Sequence, residues 1–242
     1  GVLALLDREP PAVLVLSQSH WRDGRLLDLD RIAMAAREQG VPLVLDLSQS
    51  LGVLACDVAR WQPAFAMSVG YKWLLGLKGL CYLWAAPDWC KRIAPFEQHW
   101  QGRAPTKPWA FGGESPPTYR EGARRFDGGE VTDPLRLATA EAGLAQIIAW
   151  TPDAIAAQLG MLLDRLKVTL AKAGRDDECV DPSSPHLLGF APTPERLARV
   201  RSALHDAGII CIERDGVFRL APHLHIDEAA IDCVSAAILS TD

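Results

Sequence analysis

The sequence holds no uninterrupted apolar run approaching the length needed to cross a bilayer, which excludes a transmembrane helix. It does not open on a basic segment followed by an apolar stretch and a small-residue cleavage site, so a cytoplasmic protein with no membrane partner is expected. No C-x-x-C pair occurs among Cys56, Cys81, Cys90, Cys179, Cys211 and Cys233; that spacing fits reduced, mostly buried thiols and not a zinc site. His223 and His225 would lie on one side of an extended segment, but a third ligand is lacking and no metal is expected. There is no internal repeat and no low-complexity tract. A strong excess of one charge is lacking too: the formal net charge is −5 with Lys and Arg scattered among acids, which leaves no footprint for nucleic acid.

What remains is an ordinary soluble composition. The 242 residues are 49% hydrophobic and 23% charged, enough to bury one good core or two smaller ones. Gly1 to Leu6 is apolar and leads into Val13-Leu14-Val15-Leu16, expected as a fully buried parallel strand that ends at Ser17. A polar loop with Trp21 and Gly24 follows. Asp28 is a candidate N-cap for a helix carrying Leu29, Ile32, Ala33 and Ala36 at helical spacing, and Gly40 stops it. Val41-Pro42-Leu43-Val44-Leu45 then runs to Asp46, completing a β-α-β unit. A third strand, Phe65-Ala66-Met67, leads to Ser68 and Lys72. Leu80 to Trp84 reads as another buried strand, and Pro87-Asp88 can open a short helix.

Residues 95–133 are rich in Gly, Pro, Arg and aromatics (Trp100, Trp109, Phe111, Tyr119, Phe126) and are expected as a long, ordered, functional loop region. Two helical patterns follow, through Leu135 to Ile148 and Ile155 to Leu170. Beyond Gly174 comes a smaller α+β unit: a strand at His186 to Phe190, a helix at Pro194 to Ala207, and strands Ile209 to Ile212 and Val217 to Leu220 flanking the hairpin signal Arg214-Asp215-Gly216. Cys211 falls inside the first of those two strands and reads as core. A final helix starts near Asp227. The expected division is residues 1–130 and 131–242, with the boundary at about Gly128 to Pro134.

Three successive strands thus deliver polar residues at their C-terminal ends, Ser17, Asp46 and the Ser68 to Lys72 turn, the edge at which open α/β sheets bind ligands. Lys72 is flanked by Tyr71, Trp73, Leu74 and Leu75. Such surroundings disfavour the ammonium and favour a nucleophilic amine able to form a Schiff base. The plainer alternative is a strand-end lysine with its stem on apolar surface and its head in water. An imine-forming lysine, an acid at the same edge and hydrogen-bonding groups around both match what pyridoxal 5′-phosphate (PLP) requires of a protein. Asp46 could face the pyridine nitrogen, Gln49 a ring oxygen, and Tyr71 and Ser17 the phosphate.

Three segments carry a family resemblance: Asp46-Leu47-Ser48-Gln49, Gly70-Tyr71-Lys72-Trp73-Leu74 and Phe218-Arg219-Leu220-Ala221-Pro222-His223. In order and spacing the chain resembles the fold-type-I PLP-dependent enzymes of aminotransferase class V, which include kynureninase, cysteine desulfurases and isopenicillin epimerase-like proteins. It is most similar to the kynureninase side, through Ser17, Trp21 and Gly24 ahead of Asp46. The resemblance implies an α/β fold, the C-terminal part of a PLP-transferase large domain with a mostly parallel sheet, followed by a small α+β domain. It also implies PLP as cofactor, an amino-acid substrate, a homodimer, and chemistry through an aldimine and Cα deprotonation of the aminotransferase class V type. Kynureninase-like hydrolysis and epimerase or lyase chemistry are the alternatives within the family. By resemblance Lys72 is the Schiff-base lysine, Asp46, Gln49, Tyr71 and Ser17 hold the cofactor, Trp100 reaches it across a dimer interface, and Arg219 clamps the substrate carboxylate. Gly122 to Asp127 also resembles the family, although its arginines could equally be solvated.

The chain departs from the family at Gly76-Leu77-Lys78-Gly79-Leu80-Cys81, which lacks a proline and a glycine usual after the lysine. It also lacks the family's earlier half, with its phosphate-cupping turn, and Gly1 is expected to be an internal position of a longer protein. Cysteine desulfurase activity is disfavoured: Cys211 reads as core, and Cys179 has acidic neighbours. A truncated relative serving as a structural or interaction module is the reading from a different class.

Overall fold

The computed structural model describes residues 1–104, 117–129 and 133–241. Trp109 and Phe111, and residues 130–132 at the expected boundary, lie outside them. The described chain forms two compact units, both discontinuous in sequence: Gly1–Leu16, Leu29–Ser48 and Asp57–Leu144 in the first, and Ser17–Asp28, Gln49–Cys56 and Ala145–Asp242 in the second.

The first unit is built on a four-stranded sheet of order β1-β2-β3-β4: β1 (Leu14–Ser17, whose last residue falls in the second unit), β2 (Leu43–Asp46), β3 (Phe65–Val69) and β4 (Cys81–Ala85). β2 and β3 are parallel with Asp46 opposite Met67, and β4 runs antiparallel to β3 with Leu83 opposite Met67. Helix α1 (Val2–Arg8) packs on α2 (Leu29–Glu38), and α2 on α3 (Val58–Trp61). α2 buries Leu29, Ile32, Ala33 and Ala36, the stripe its spacing predicts. Gly40, in the left-handed region at φ +66°, turns the chain out of it. Asp57 caps α3 by accepting the Arg60 N–H, and α2 and α3 are tied by the Trp61 Nε1–H bond to Asp30 at 2.9 Å. Pro87 opens α4 (Pro87–Arg92) as expected.

Two expectations are corrected here. Among the described residues β1 and β4 are edge strands, not buried ones: with a neighbour there on one side only, β1 leaves Val15 60% exposed and β4 leaves Leu83 37% exposed. Met67 lies on the same exposed face, whereas Leu43, Leu45 and Ala66 point into the core. The expected long loop includes, among its described residues, short 3-10 turns at Trp100–Gly102 and Gly122–Phe126. α5 (Pro134–Trp150) follows.

The second unit packs α6 (Pro152–Lys172) against α8 (Glu228–Leu239), and α7 (Pro194–Asp206) against α8, beside an antiparallel sheet of order β5-β7-β6 (Leu188–Phe190, Val217–Leu220, Ile212–Arg214). α6 buries Ile155, Leu159, Leu162, Leu163, Leu166 and Leu170 along one stripe. Asp227 caps α8 through the Ala230 N–H. Asp215 and Gly216 both have positive φ, +49° and +78°, the geometry of a two-residue hairpin whose twist matches its strands. That turn fixes Ile212 opposite Arg219, and the partner strand ends at Leu220, ahead of Pro222. Cys211 precedes β6 and is partly exposed, which corrects its reading as strand core. The strand expected from His186 begins at Leu188. Among the described residues, no helix is long and apolar enough to cross a membrane.

One ion pair anchors this unit. Arg196 and Glu178 are both buried; Arg196 Nη1 donates to both Glu178 oxygens at 2.7 and 2.5 Å, and Nη2 donates to the Ile238 carbonyl and Thr241 Oγ1. Removing one partner of such a pair strands the other charge in a dry interior. The Arg196→Met variant is expected to lose about 3–5 kcal/mol of stability, read as a fall in the urea midpoint; an unchanged midpoint would show that the pair anchors nothing.

Candidate functional site

In the first unit, the parallel pairing of β2 and β3 brings the C-terminal ends of the two strands side by side, Asp46 on one and the turn after Val69 on the other. Asp46 is exposed, and its Oδ1 accepts the Ser48 N–H at 2.9 Å. Ser48 Oγ in turn accepts the Val69 N–H at 3.2 Å, and the Leu47 N–H reaches the Met67 carbonyl at 2.7 Å. The acidic strand end is thereby laced to β3. Gly70 closes the lysine turn from both sides, donating to the Leu80 carbonyl and accepting from the Gly76 N–H. A Cβ on Gly76 would stand 3.0 Å from the Gly70 carbonyl oxygen, so the tight return favours glycine.

Lys72 sits in this turn, partly exposed, with Nζ 6.0 Å from the centre of the Tyr71 ring. Lys78 approaches the same ring at 5.9 Å. Trp73 and Leu74 are buried and anchor the turn, and Tyr71 is exposed. Gly143 of α5 lies against the Leu74 and Leu75 carbonyls, where a Cβ would meet the first at 2.7 Å. The altered segment after the lysine forms a defined turn, with Leu75 at φ +57° and Gly79 at φ +91°. Trp100, 46% exposed, stacks obliquely with His99. In the Gly122 to Asp127 segment, Arg124 is solvated and Arg125 lies over the Tyr119 ring at 5.0 Å.

In the second unit, two excursions from the first half of the chain are stitched onto the segment before β5. Residues 17–28 are held by the Ser184 N–H to Gly24 carbonyl bond (2.8 Å), the Arg25 bond to the Asp181 carbonyl (2.8 Å) and a buried Ser184–Ser19 hydroxyl pair (2.7 Å). Gly24, at φ +71°, packs so closely on the Leu187 carbonyl that any Cβ would collide with it. Residues 49–56 are held by His186, whose Nε2 lies 2.5 Å from the Gln49 carbonyl oxygen. Gln49 is buried. Ser17, at the end of β1, is partly exposed. Arg219, on β7, donates from Nη1 to the Trp21 carbonyl. Burial and the neighbouring Arg214 charge both lower its pKa.

His186 was not singled out by the sequence: a lone histidine beside an apolar strand gives no signal of its partner. It is wholly buried, and burial pulls its pKa down to about 4, against the opposing bond to Gln49. His223 and His225 stack with ring centres 6.0 Å apart, and no metal-binding cluster occurs among the described residues. Burial pushes the Cys179 thiol up to about 11, despite Lys167 and with the help of Glu178, Asp176 and Asp177; burial raises Cys211 as well.

Residues 3–119 match the family model for aminotransferase class V. They are an aminotransferase class V segment. Among curated relatives, the chain is 27% identical over 214 residues to the uncharacterized aminotransferase YcbU of Bacillus subtilis, covering 85% of this chain and 53% of the relative. It is 34% identical over 115 residues to kynureninase of Deinococcus radiodurans, covering 47% of this chain and 27% of that protein. The chain thus spans about half the length, or less, of these relatives. A solved mutant of the cystine C–S lyase C-DES, with glycine covalently linked to its PLP cofactor, superposes with a TM-score of 0.76 at 21% identity, over 98% of this chain and 64% of that one. At that identity the likeness shows the fold, the expected α/β fold-type-I architecture.

His186 supplies a pH test. Unfolded, its pKa is near 6.5; folded, it is about 4. Between those values the unfolded chain binds a proton that the folded chain refuses, so stability is full above pH 6.5 and falls as pH drops toward 4. The loss is at most about 3 kcal/mol. Urea unfolding of the native chain and of His186→Gln over this range is expected to show the acid-side slope flattened in the variant.

Proposed function

We propose that the chain is part of a PLP-dependent enzyme that acts on a small amino acid. The observation that carries this reading is the parallel pairing of β2 and β3, which sets an exposed carboxylate and a lysine turn at the same strand ends. The donor set suits the cofactor: Lys72 for its aldehyde carbon, Asp46 for the pyridine nitrogen, Gln49 for the ring hydroxyl, and Tyr71 and Ser17 for the phosphate. Bound PLP would supply an electron sink for charge developing at the substrate Cα.

The remaining chemistry belongs to the chain's own residues. Lys72 Nζ moves the proton at Cα. Arg219 receives the substrate carboxylate on a planar fork already fixed by the Trp21 carbonyl, so little freedom is lost on binding. We assign the aminotransferase class V type of activity, the similarity to YcbU being its support; kynureninase-like hydrolysis or epimerase chemistry uses the same set. The raised thiols of Cys179 and Cys211 argue against a desulfurase nucleophile, because the thiolate is the reactive form. Residues 1–130 are assigned to the cofactor domain and 131–242 to the small domain. A cytoplasmic homodimer in which exposed Trp100 reaches the partner's cofactor completes the proposal.

The test is covalent. The chain is incubated with PLP, reduced with borohydride, digested and analysed by mass spectrometry. Modification is expected at Lys72 and lost in Lys72→Ala, with Asp46→Ala retaining less than a tenth of the native labelling, about the effect of removing one charge-assisted bond. Label spread evenly over Lys78, Lys91 and other lysines, and unchanged in Lys72→Ala, would sink the reading.

A further inference from the structure

The β6-β7 hairpin carries a second guanidinium beside Arg219. Arg219 pairs with Ile212 across the hairpin and with Gly189 on its other side. Arg214 is two residues beyond Ile212 and is therefore the diagonal neighbour of Arg219 on the same face, at a separation of roughly 7–8 Å. The 20–24 loop lies on this face: a Cβ on Gly189 would meet the Asp23 carbonyl oxygen at 2.5 Å. Both arginines use the same loop residue. Arg219 binds the Trp21 carbonyl, and Arg214 lies over the Trp21 ring with Cζ 5.0 Å from its centre.

Two like charges this close repel, and part of the depression of the Arg219 pKa comes from Arg214. The acids of this segment have other partners. Asp215 is engaged by Arg22 at 3.1 Å, Asp23 by His20 at 2.7 Å and the Arg25 N–H, and Glu213 by Arg201 on the opposite face. Among the described residues Arg214 has no carboxylate partner, only the indole face. Arg22, though paired with Asp215, leaves its buried Nε without an acceptor among the described residues. An anion bridging Arg214 and Arg219 would turn this repulsion into attraction.

We propose that this face selects amino acids with a second anionic group on the side chain, Arg219 taking the α-carboxylate and Arg214, stacked on Trp21, taking the side-chain anion. The Arg219 half rests on the clamp role given above; the Arg214 half is new. A dicarboxylic amino acid meets both forks at once, and an uncharged side chain of the same shape leaves Arg214 unpaired.

L-glutamate and L-glutamine, nearly isosteric, are the probes, titrated into the chain by calorimetry at low salt. Glutamate is expected to bind about tenfold or more tightly than glutamine, the worth of one charge-assisted contact. Arg214→Gln should bring glutamate down to the glutamine affinity and leave glutamine unchanged. Arg219→Gln should weaken both. Arg214 is exposed and its variant is expected to keep the native circular dichroism spectrum. Equal affinities in the native chain, a preference that survives Arg214→Gln, or no binding of either amino acid would overturn the proposal. Arg219→Gln without effect on either ligand would remove the clamp instead. Labelling of Lys72 involves no amino acid and reports on the cofactor reading separately.

Discussion

The arrangement of the first unit depends on the parallel register of β2 and β3. Parallel pairing makes the two strands end on the same side, and the register of Asp46 against Met67 decides which residues stand there. A slip of one residue would turn Leu45 outward and Asp46 into the core, at the cost of a buried carboxylate. Alternation along β2, with Leu43 and Leu45 buried, therefore protects the position of the acid as well as the core. The Ser48 hydroxyl completes the device, since it accepts from Val69 while its own N–H holds Asp46. The Asp46 carboxylate and the lysine turn are coupled through two hydrogen bonds and one register.

The second unit solves a different problem. A three-stranded sheet of three- and four-residue strands is too small to stand alone and must be covered. Helices α6, α7 and α8 build an apolar core with the buried Arg196–Glu178 pair at its margin, and the excursions 17–28 and 49–56 supply backbone partners to the segment ahead of β5. Gly24 and Gly189 make that contact possible by having no side chain at the points of closest approach. Glycine here sets the distance at which Trp21 and Arg219 meet.

Much of this was legible in the sequence because the signals were local. The helices opening at Pro87 and Pro194, the stripe from Ile155 to Leu170, the helix capped by Asp227, the β-α-β unit and the hairpin all follow from caps, periodicity and turn residues. Burial of β1 and β4 was misread, because an apolar run looks the same at the centre and at the edge of a sheet; only neighbours tell them apart. Cys211 was misplaced for a related reason. The apolar run Ile209 to Ile212 suggested a strand, but β6 is paired from Ile212 to Arg214, although Leu220 of β7 stands opposite Cys211 in that register. His186 was invisible because its partner, the Gln49 carbonyl, is 137 residues away and belongs to the backbone, which carries no residue-specific signal.

The arginine pair shows how sequence spacing can point the wrong way. Arg214 and Arg219 are five residues apart, and along one continuous strand an odd separation puts side chains on opposite faces. The two-residue turn reverses the chain between them, so pairing is governed by the sum of residue numbers across the hairpin, and Arg214 joins Arg219 on one face. A turn that shifted the register by one residue would take Arg214 off the face of Arg219. The left-handed conformations of Asp215 and Gly216 are thus what hold the two guanidinium groups on one face, with Trp21 contacting both. A turn residue far from any reacting atom fixes which charges a ligand would meet.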